Sequence, residues 1–552
     1  MKSFKRSMVS PRSKRKESSG KPAEIFQRIF KKADSSSETR VAGLTKAVLM
    51  GTSALGIAAV AITIFQSVLP HSGLRNIDSL DAPILGQARH SINSSPLIGS
   101  PAHKNEKGNT VNGNDTLAGL FGQRSNNNQC SIAKNNLSES DMQVARIAWK
   151  YFENNYNSET GFVNSVHGYP STTMWDTGSA IAAYIAAVDF GFITQKEFDD
   201  AMMKLMNSLQ TMQMFNGVAP NKVYNTHTLD MVDYGNNVVE GGIGISILDL
   251  ARLVSWMDTL QCMHPQYSHS ASSALSRWDY TDLIKNEELY GMARDPLNKS
   301  IKVLQEGRLG YEQYAGKIFD RAGFSVETAK SYENQHRADT EIYGINIAYD
   351  NRDPRIYHAN NYVVTESYAM DAMELGVDDI NRELLKNIFD VQKKRWQETG
   401  IVTAISEDNI DREPWFLYNT IFTSGLPFNT ITETGVQHND LKTVSTKAAL
   451  SMAVLFPEDE YSQVLLSTIG SAYEDDLGWY SGVYEKGGYN DVATANTNGV
   501  ILSVLLYKKY DSISVHCDKC AQRLSIESDV INNEAEADRK DVSACESCGT
   551  EE

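Results

Sequence analysis

The chain has 552 residues, with 52 Lys and Arg against 69 Asp and Glu, for a formal net charge of −17. Residues 1–46 hold 13 basic and 4 acidic residues, a local +9, so the remainder carries −26. That asymmetry points to a membrane or nucleic-acid contact at the amino end, while −26 argues against nucleic-acid binding by the rest, because phosphate recognition needs basic patches.

Residues 47–69, AVLMGTSALGIAAVAITIFQSVL, hold no charge over 23 positions, enough to cross a bilayer core of roughly 30 Å as a helix. With the basic flank before them, the positive-inside rule puts the amino end in the cytoplasm and the main body outside, inner-membrane anchored and periplasmic or extracytoplasmic. A cleaved signal is the rival reading, with LGQA at 85–88 as its weak site, but the apolar run is longer than a normal signal core. Residues 70–129 are rich in Asn, Ser and Gly without apolar period, as a tether would be.

Residues 130–510 form the predicted folded body. Apolar periodicity of 3.6 predicts helices at 142–156, 177–193, 194–212, 243–260, 275–289, 311–324, 363–375, 381–396, 441–456, 459–475 and 494–509, with a twelfth in 325–337 and no convincing hairpin framework. Those at 177, 243, 441 and 494 are apolar on most sides and read as inner; those at 194, 381 and 459 are amphipathic and read as outer. Links from inner to outer helices are short, and links from outer to inner are long, polar and aromatic. This describes an all-α (α/α)6 toroid of six helical hairpins with its long loops on one face; an irregular α domain or solenoid is the alternative. Long loops in a compact domain are often functional.

Four of these loops carry candidate chemistry. TTMWDTGSAIAAY (172–184) offers Trp175 and Asp176 before an inner helix: a stacking ring and a sugar contact or base, or else a plain helix cap by Asp176 or Thr177. Glu366 in YVVTESYAMDAMEL (362–375) lies in the first turn of another inner helix, where the helix dipole favours a carboxylate. Glu407, Asp408 and Asp411 in AISEDNIDREPWF (404–416) read as a proton donor and its partner, as a solvated loop or as a calcium site; Trp415 would line a subsite. WYSGVYEKGGYNDVATANTNGVIL (479–502) adds Tyr480, Tyr484, Glu485 and Asn496, with the aromatics and amides of a carbohydrate groove; Asn496 and Thr497 read equally as a cap. There is no Walker loop, no dinucleotide glycine motif and no G-x-S-x-G. In the tail, 511–552, Cys517, Cys520, Cys545 and Cys548 form C-x2-C-x24-C-x2-C, a pattern for structural zinc, with disulfides competing in an oxidising compartment.

TAISEDNIDREPWFLYNTIF, LKTVSTKAAL, GWYSGVYEKGG, TANTNGVILSVLLYKK, TMWDTGSAIAAYIAA and NYVVTESYAMDAMELG together resemble the bacterial "domain of unknown function 3131" family over about residues 140–510. The family is similar to (α/α)6-barrel glucoamylase-like domains and β-1,2-glucanases. The resemblance implies a glycoside hydrolase or transglycosylase acting on an envelope or exported polysaccharide, needing no catalytic cofactor and working beside glycan-synthesis machinery. The acids of SEDN, VTES and YEKGG carry over as candidate site positions. Where a GWSALD motif is expected, this chain reads GGIGISILD (241–249), without the Trp. One acid among Glu407, Asp408 and Glu485 would protonate the leaving oxygen, and Asp176 or Glu366 would activate water. A non-catalytic glycan-binding or assembly protein is the alternative; it would keep the aromatics without needing a carboxylate pair.

Overall fold

The computed structural model describes residues 135–518, His358 apart, and two short paired strands, His103–Lys104 and Thr110–Val111. The expected membrane span at 47–69 and the basic segment before it lie outside the described residues, as does nearly all of the tether. Among the described residues no helix is long and apolar enough to cross a membrane.

Six helices form a closed inner ring: α2 (Met174–Asp189), α4 (Ile247–Met263), α6 (Tyr311–Arg321), α8 (Thr365–Met370, continued by a π turn over Asp371–Leu375), α10 (Thr446–Leu455) and α12 (Ala495–Tyr510). Each packs on the next, and α12 closes on α2. Six others lie outside them: α1 (Glu139–Asn155), α3 (Gln195–Thr211), α5 (Ser268–Leu275), the single turn α7 (Glu327–Lys330), α9 (Asp379–Thr399) and α11 (Glu460–Ile469). The composition explains the division. All of α4 is buried, as are residues 174–187 of α2; the side chains of α2 are mostly small and apolar, and those of α4 are mostly apolar, with Asp249, Arg252, Asp258 and Gln261 buried among them. Two glycines mark the closest approaches. A Cβ on Gly178 would lie 3.1 Å from the Arg252 carbonyl oxygen of α4, and one on Gly499 would lie 2.8 Å from the Ser179 Cβ of α2. The outer helices α1 and α3 are instead amphipathic and start with reciprocal capping boxes, Ser138 with Asp141 and Thr194 with Glu197.

The all-α expectation is corrected in one respect: the long links carry antiparallel β-structure. β1 (Ser171–Thr173) pairs with β2 (Val223–Asn225). β3 (Gly244–Ile245), β4 (Glu288–Arg294) and β5 (Ile301–Gln305) form a second sheet. β6 (Arg337–Ile342) pairs with β7 (Ile345–Asp350), β8 (Glu407–Asn409) with β9 (Phe416–Asn419) and β9 with β10 (Thr430–Ile431). β12 (Gly478–Tyr484) lies between β11 (Thr443–Ser445) and β13 (Tyr489–Ala493). The helix expected at 275–289 is therefore absent. α5 ends at Leu275 and the chain enters β4, whose partly alternating burial suits a half-covered strand. The twelfth helix, at 325–337, shrinks to the turn α7. These strands are short and rest on the barrel rather than on a sheet core, so helical periodicity nearby masks them.

At the far end of the ring, Cys517 is bonded to Cys262 of α4. Its thiolate is therefore unavailable to a metal, and zinc binding by the set Cys517, Cys520, Cys545 and Cys548 is corrected; the last three lie outside the described residues. The Ser512 hydroxyl donates to the Glu374 carbonyl at 3.0 Å, and Arg321 pairs with Asp518 at 2.7 and 3.1 Å, so the start of the tail is fastened to the barrel.

The disulfide closes a loop of sequence separation 255, for which chain entropy gives a stabilisation of about 5 kcal/mol. Thermal melts should show the Cys262→Ser/Cys517→Ser variant unfolding well below the oxidised wild type, with a reductant lowering the wild-type midpoint and leaving that of the variant in place.

Candidate active site

The long links precede the inner helices, so the first turns of the inner helices converge on one mouth. Five of the six supply polar or aromatic groups there: Trp175 and Asp176 from α2, Tyr311 from α6, Glu366 from α8, Lys447 from α10 and Asn496 from α12. The hairpin β8–β9 lies across them and adds Glu407, Asp408, Asn409 and Phe416. Trp175, Asp176, Lys447, Asn496 and these four, with Ser165 and Thr494, line a narrow cleft.

Threonines upstream take over the capping. Thr173 accepts from the Asp176 amide at 3.1 Å, and Thr494 accepts from the Thr497 amide at 3.0 Å. Asp176 and Asn496 are thereby free for side-chain contacts. The Thr173 hydroxyl donates to the Asp176 carboxylate at 2.8 Å. Asn496 accepts from the Trp175 indole at 3.1 Å and donates to Glu366 at 2.9 Å. Glu366 also accepts weakly from the Ser406 hydroxyl, at 3.4 Å, and pairs with the Lys447 ammonium at 2.5 Å. Lys447 Nζ lies 3.7 Å from Asp408 Oδ1. Tyr311 donates to Glu407 Oε1 at 2.7 Å, whereas Glu407 Oε2 and both Asp408 oxygens are buried without a hydrogen-bond partner. Trp175 is only 2 % exposed; it stands edge-on to Tyr311 at 5.6 Å and over the Arg252 guanidinium at 5.1 Å, so it is a wall of the cleft rather than an open stacking platform.

Burial dominates the electrostatics. It pushes the Asp408 carboxyl up to about 7, with Lys447 opposing and Glu366 adding to the rise. It drives Glu407 well above the usual carboxylate range, reinforced by Glu366. It raises Asp176 too, against the hydrogen bonds of Ser165 and Thr173. Lys447 is held up at about 12: burial favours loss of its charge, but Glu366, Asp408 and Glu407 outweigh it.

Of the residues singled out in the sequence, Trp175, Asp176, Glu407, Asp408 and Asn496 share the cleft, and Glu366 lies against it through Lys447 and Asn496. The others lie elsewhere. Glu485 is corrected as a proton donor: Arg395 of α9 holds both its oxygens, at 2.5 and 3.0 Å. Tyr484 donates to Asp411 at 2.6 Å with the Arg412 guanidinium 4.9 Å over its ring, which braces the β8–β9 turn rather than lining the cleft. Tyr480 sits beside Tyr489 at 5.8 Å, and Trp415 is half-buried in the turn, with its neighbour Phe416 facing the cleft. Asp411 is taken up by Arg412 and Tyr484, which leaves the calcium reading without a ligand set; among the described residues no group of three or more His, Cys, Asp or Glu is arranged to hold a metal ion. The sequence reading missed Lys447 and Tyr311. The signal for Lys447 was present, as the single charge in the apolar inner-helix stretch VSTKAALSMAVLF.

The chain belongs to the family described as "Protein of unknown function (DUF3131)", which matches residues 143–511. No curated protein matches it significantly. Solved structures share its fold. A candidate glucoamylase from Bacteroides caccae is 14% identical with a TM-score of 0.51, covering 69% of this chain and 96% of its own. An endo-β-1,2-glucanase from Chitinophaga pinensis, in complex with sophorotriose and glucose, is 13% identical with a TM-score of 0.50, covering 69% and 95%. An endo-β-1,2-glucanase from Talaromyces funiculosus, in complex with sophorose, is 14% identical with a TM-score of 0.50, covering 73% and 90%.

The raised carboxyl of Asp408 has a sign that can be tested. Its folded value of about 7 lies above the ordinary 3.8, so the native state holds the extra proton between these limits, and stability falls as pH rises from about 4 to about 7. Urea titrations across that window should show Asp408→Asn losing less stability than wild type, by roughly 4 kcal/mol at most. Equal slopes would place the proton elsewhere.

Proposed function

We propose that this protein is a glycoside hydrolase, or a related transglycosylase, acting on an envelope or exported polysaccharide. One observation carries the reading: three carboxyl groups, Asp176, Glu407 and Asp408, line one cleft, and burial favours the protonated form of each. Glycosidic cleavage needs one carboxyl group to give a proton and another to act as a carboxylate. Asp408 is the better donor, since a catalytic acid works best with a pKa near the working pH. Glu407 is also favoured in its protonated form by burial, but one of its oxygens is tied to Tyr311. Asp176 would activate the water, because hydroxyl donors from Thr173 and Ser165 and the charges of Lys447 and Arg252 oppose burial and favour its carboxylate form. The fold shared with β-1,2-glucanases makes β-1,2-glucan the first substrate to test. The uncharged run at 47–69 would anchor the enzyme in the membrane with the barrel outside, beside machinery that makes or exports the glycan. The Cys262–Cys517 bond supports that placement, because structural disulfides persist in oxidising compartments.

The full chain, purified in detergent, should be incubated with linear and cyclic β-1,2-glucans and a panel of bacterial exopolysaccharides, with new reducing ends and product masses as the readout. The wild type is expected to cleave or rearrange at least one glycan, with a rate that falls as pH rises past about 7. Asp408→Asn and Asp176→Asn should each lose about 10²–10⁴-fold. Tight glycan binding without turnover would overturn this in favour of a non-catalytic glycan-binding or assembly protein.

A further inference from the structure

Among the described residues Lys447 is the one basic side chain lining the cleft, and only 2 % of its surface is exposed. Burying an ammonium is costly even after relaxation, so its place on an otherwise small and apolar inner helix calls for a reason. A structural partner for Glu366 alone would not require it to line the cleft. Its two acidic neighbours are unequally provided for. Glu366, at 2.5 Å, keeps hydrogen bonds from Asn496 and Ser406 whether or not Lys447 is present. Asp408, at 3.7 Å, has no hydrogen bond within 3.5 Å on either oxygen, and only the Ser445 hydroxyl and the Lys447 ammonium stand just beyond that range. At 3.7 Å the contact is an ion-pair distance but too long for a hydrogen bond. A shift of about 1 Å at the end of a flexible four-carbon stem would close it to a charge-assisted bond.

We propose that Lys447 is a positioning residue for proton transfer: a counter-charge held on Glu366 that closes onto the Asp408 carboxylate as Asp408 gives up its proton. This rests on the glycosidase reading above. In the step, the Asp408 proton moves to the glycosidic oxygen, the bond from that oxygen to the anomeric carbon breaks, and its electron pair stays with the leaving oxygen. Asp408 becomes an anion in a buried place. A water then adds to the sugar carbon and passes its proton to Asp176. Without Lys447 the new anion would face only acids and neutral groups: Glu366 from α8, its neighbour Glu407 bonded by Tyr311 of α6, Asp176 from α2 and the Ser445 hydroxyl of β11. Arg252 of α4 is occupied by Glu374 at 2.9 Å.

Lys447→Met alone would leave Glu366 hydrogen-bonded but without its counter-charge in a buried place, which endangers folding, so the comparison is Glu366→Gln against Glu366→Gln/Lys447→Met in the full chain. The Asp408 carboxyl is followed by pH-difference infrared spectroscopy, each protein referenced to its own Asp408→Asn counterpart. The titration midpoint should be higher in the double variant by at least about one pH unit, since an opposite charge at this range shifts a carboxyl by 1–3. In the wild-type background Lys447→Arg should keep most of kcat, and in the Glu366→Gln background Lys447→Met should lower kcat by at least about tenfold with KM nearly unchanged. Equal infrared midpoints would overturn the proposal. A wild type that cleaves no glycan would defeat the glycosidase reading instead, and the midpoints would still decide whether Lys447 answers to Asp408.

Discussion

The closed ring of six inner helices is the constraint on which the rest depends. Its helices touch on nearly every side, closely enough at Gly178 and Gly499 that a side chain there would strike the next helix. Such a ring has little room for polar groups along its length, and those that enter must be paired, as Arg252 is with Glu374. At the mouth the restriction lifts. The first-turn amides of a helix have no partner within it, and the positive end of the dipole favours carboxylates. The site therefore gathers where five helices begin.

Charge at that mouth is unbalanced by design of the sequence. Asp176, Glu366, Glu407 and Asp408 are all buried, and Lys447 is the cation among them. One ammonium does not hold four carboxylates in a low dielectric, so protons make up the difference. The same imbalance that destabilises the folded chain near neutral pH leaves an acid able to release a proton there. On the glycosidase reading, such a site trades stability for chemistry.

The opposite end is built for permanence. Cys517 is joined to Cys262, Ser512 to the Glu374 carbonyl and Asp518 to Arg321, which ties the segment after α12 to α4, α6 and α8. The two ends share α4 and α8: α8 begins with Glu366 and ends in the π turn that receives Ser512. Rigidity at the base of these helices helps to fix what their first turns present.

The sequence by itself determined the helical toroid, because apolar helices alternating with amphipathic ones, and short links with long ones, leave few other ways to bury the apolar faces. It also determined where the acids would gather, since Asp176, Glu366, Glu407 and Asp408 all lie in or beside long links. The strands in those links escaped notice because each is short and its burial comes from the barrel beneath. Only the tertiary structure decided which candidates meet. Glu485 and Asp408 look alike in the sequence, yet Arg395 claims one and Lys447 stands beside the other; both partners come from distant helices. Likewise four cysteines spaced for zinc say nothing of Cys262, which lies 255 residues from Cys517 in the chain. Local pattern fixes the faces of an element, but the pairing of buried charges and sulfurs is settled by what the closed ring brings within reach.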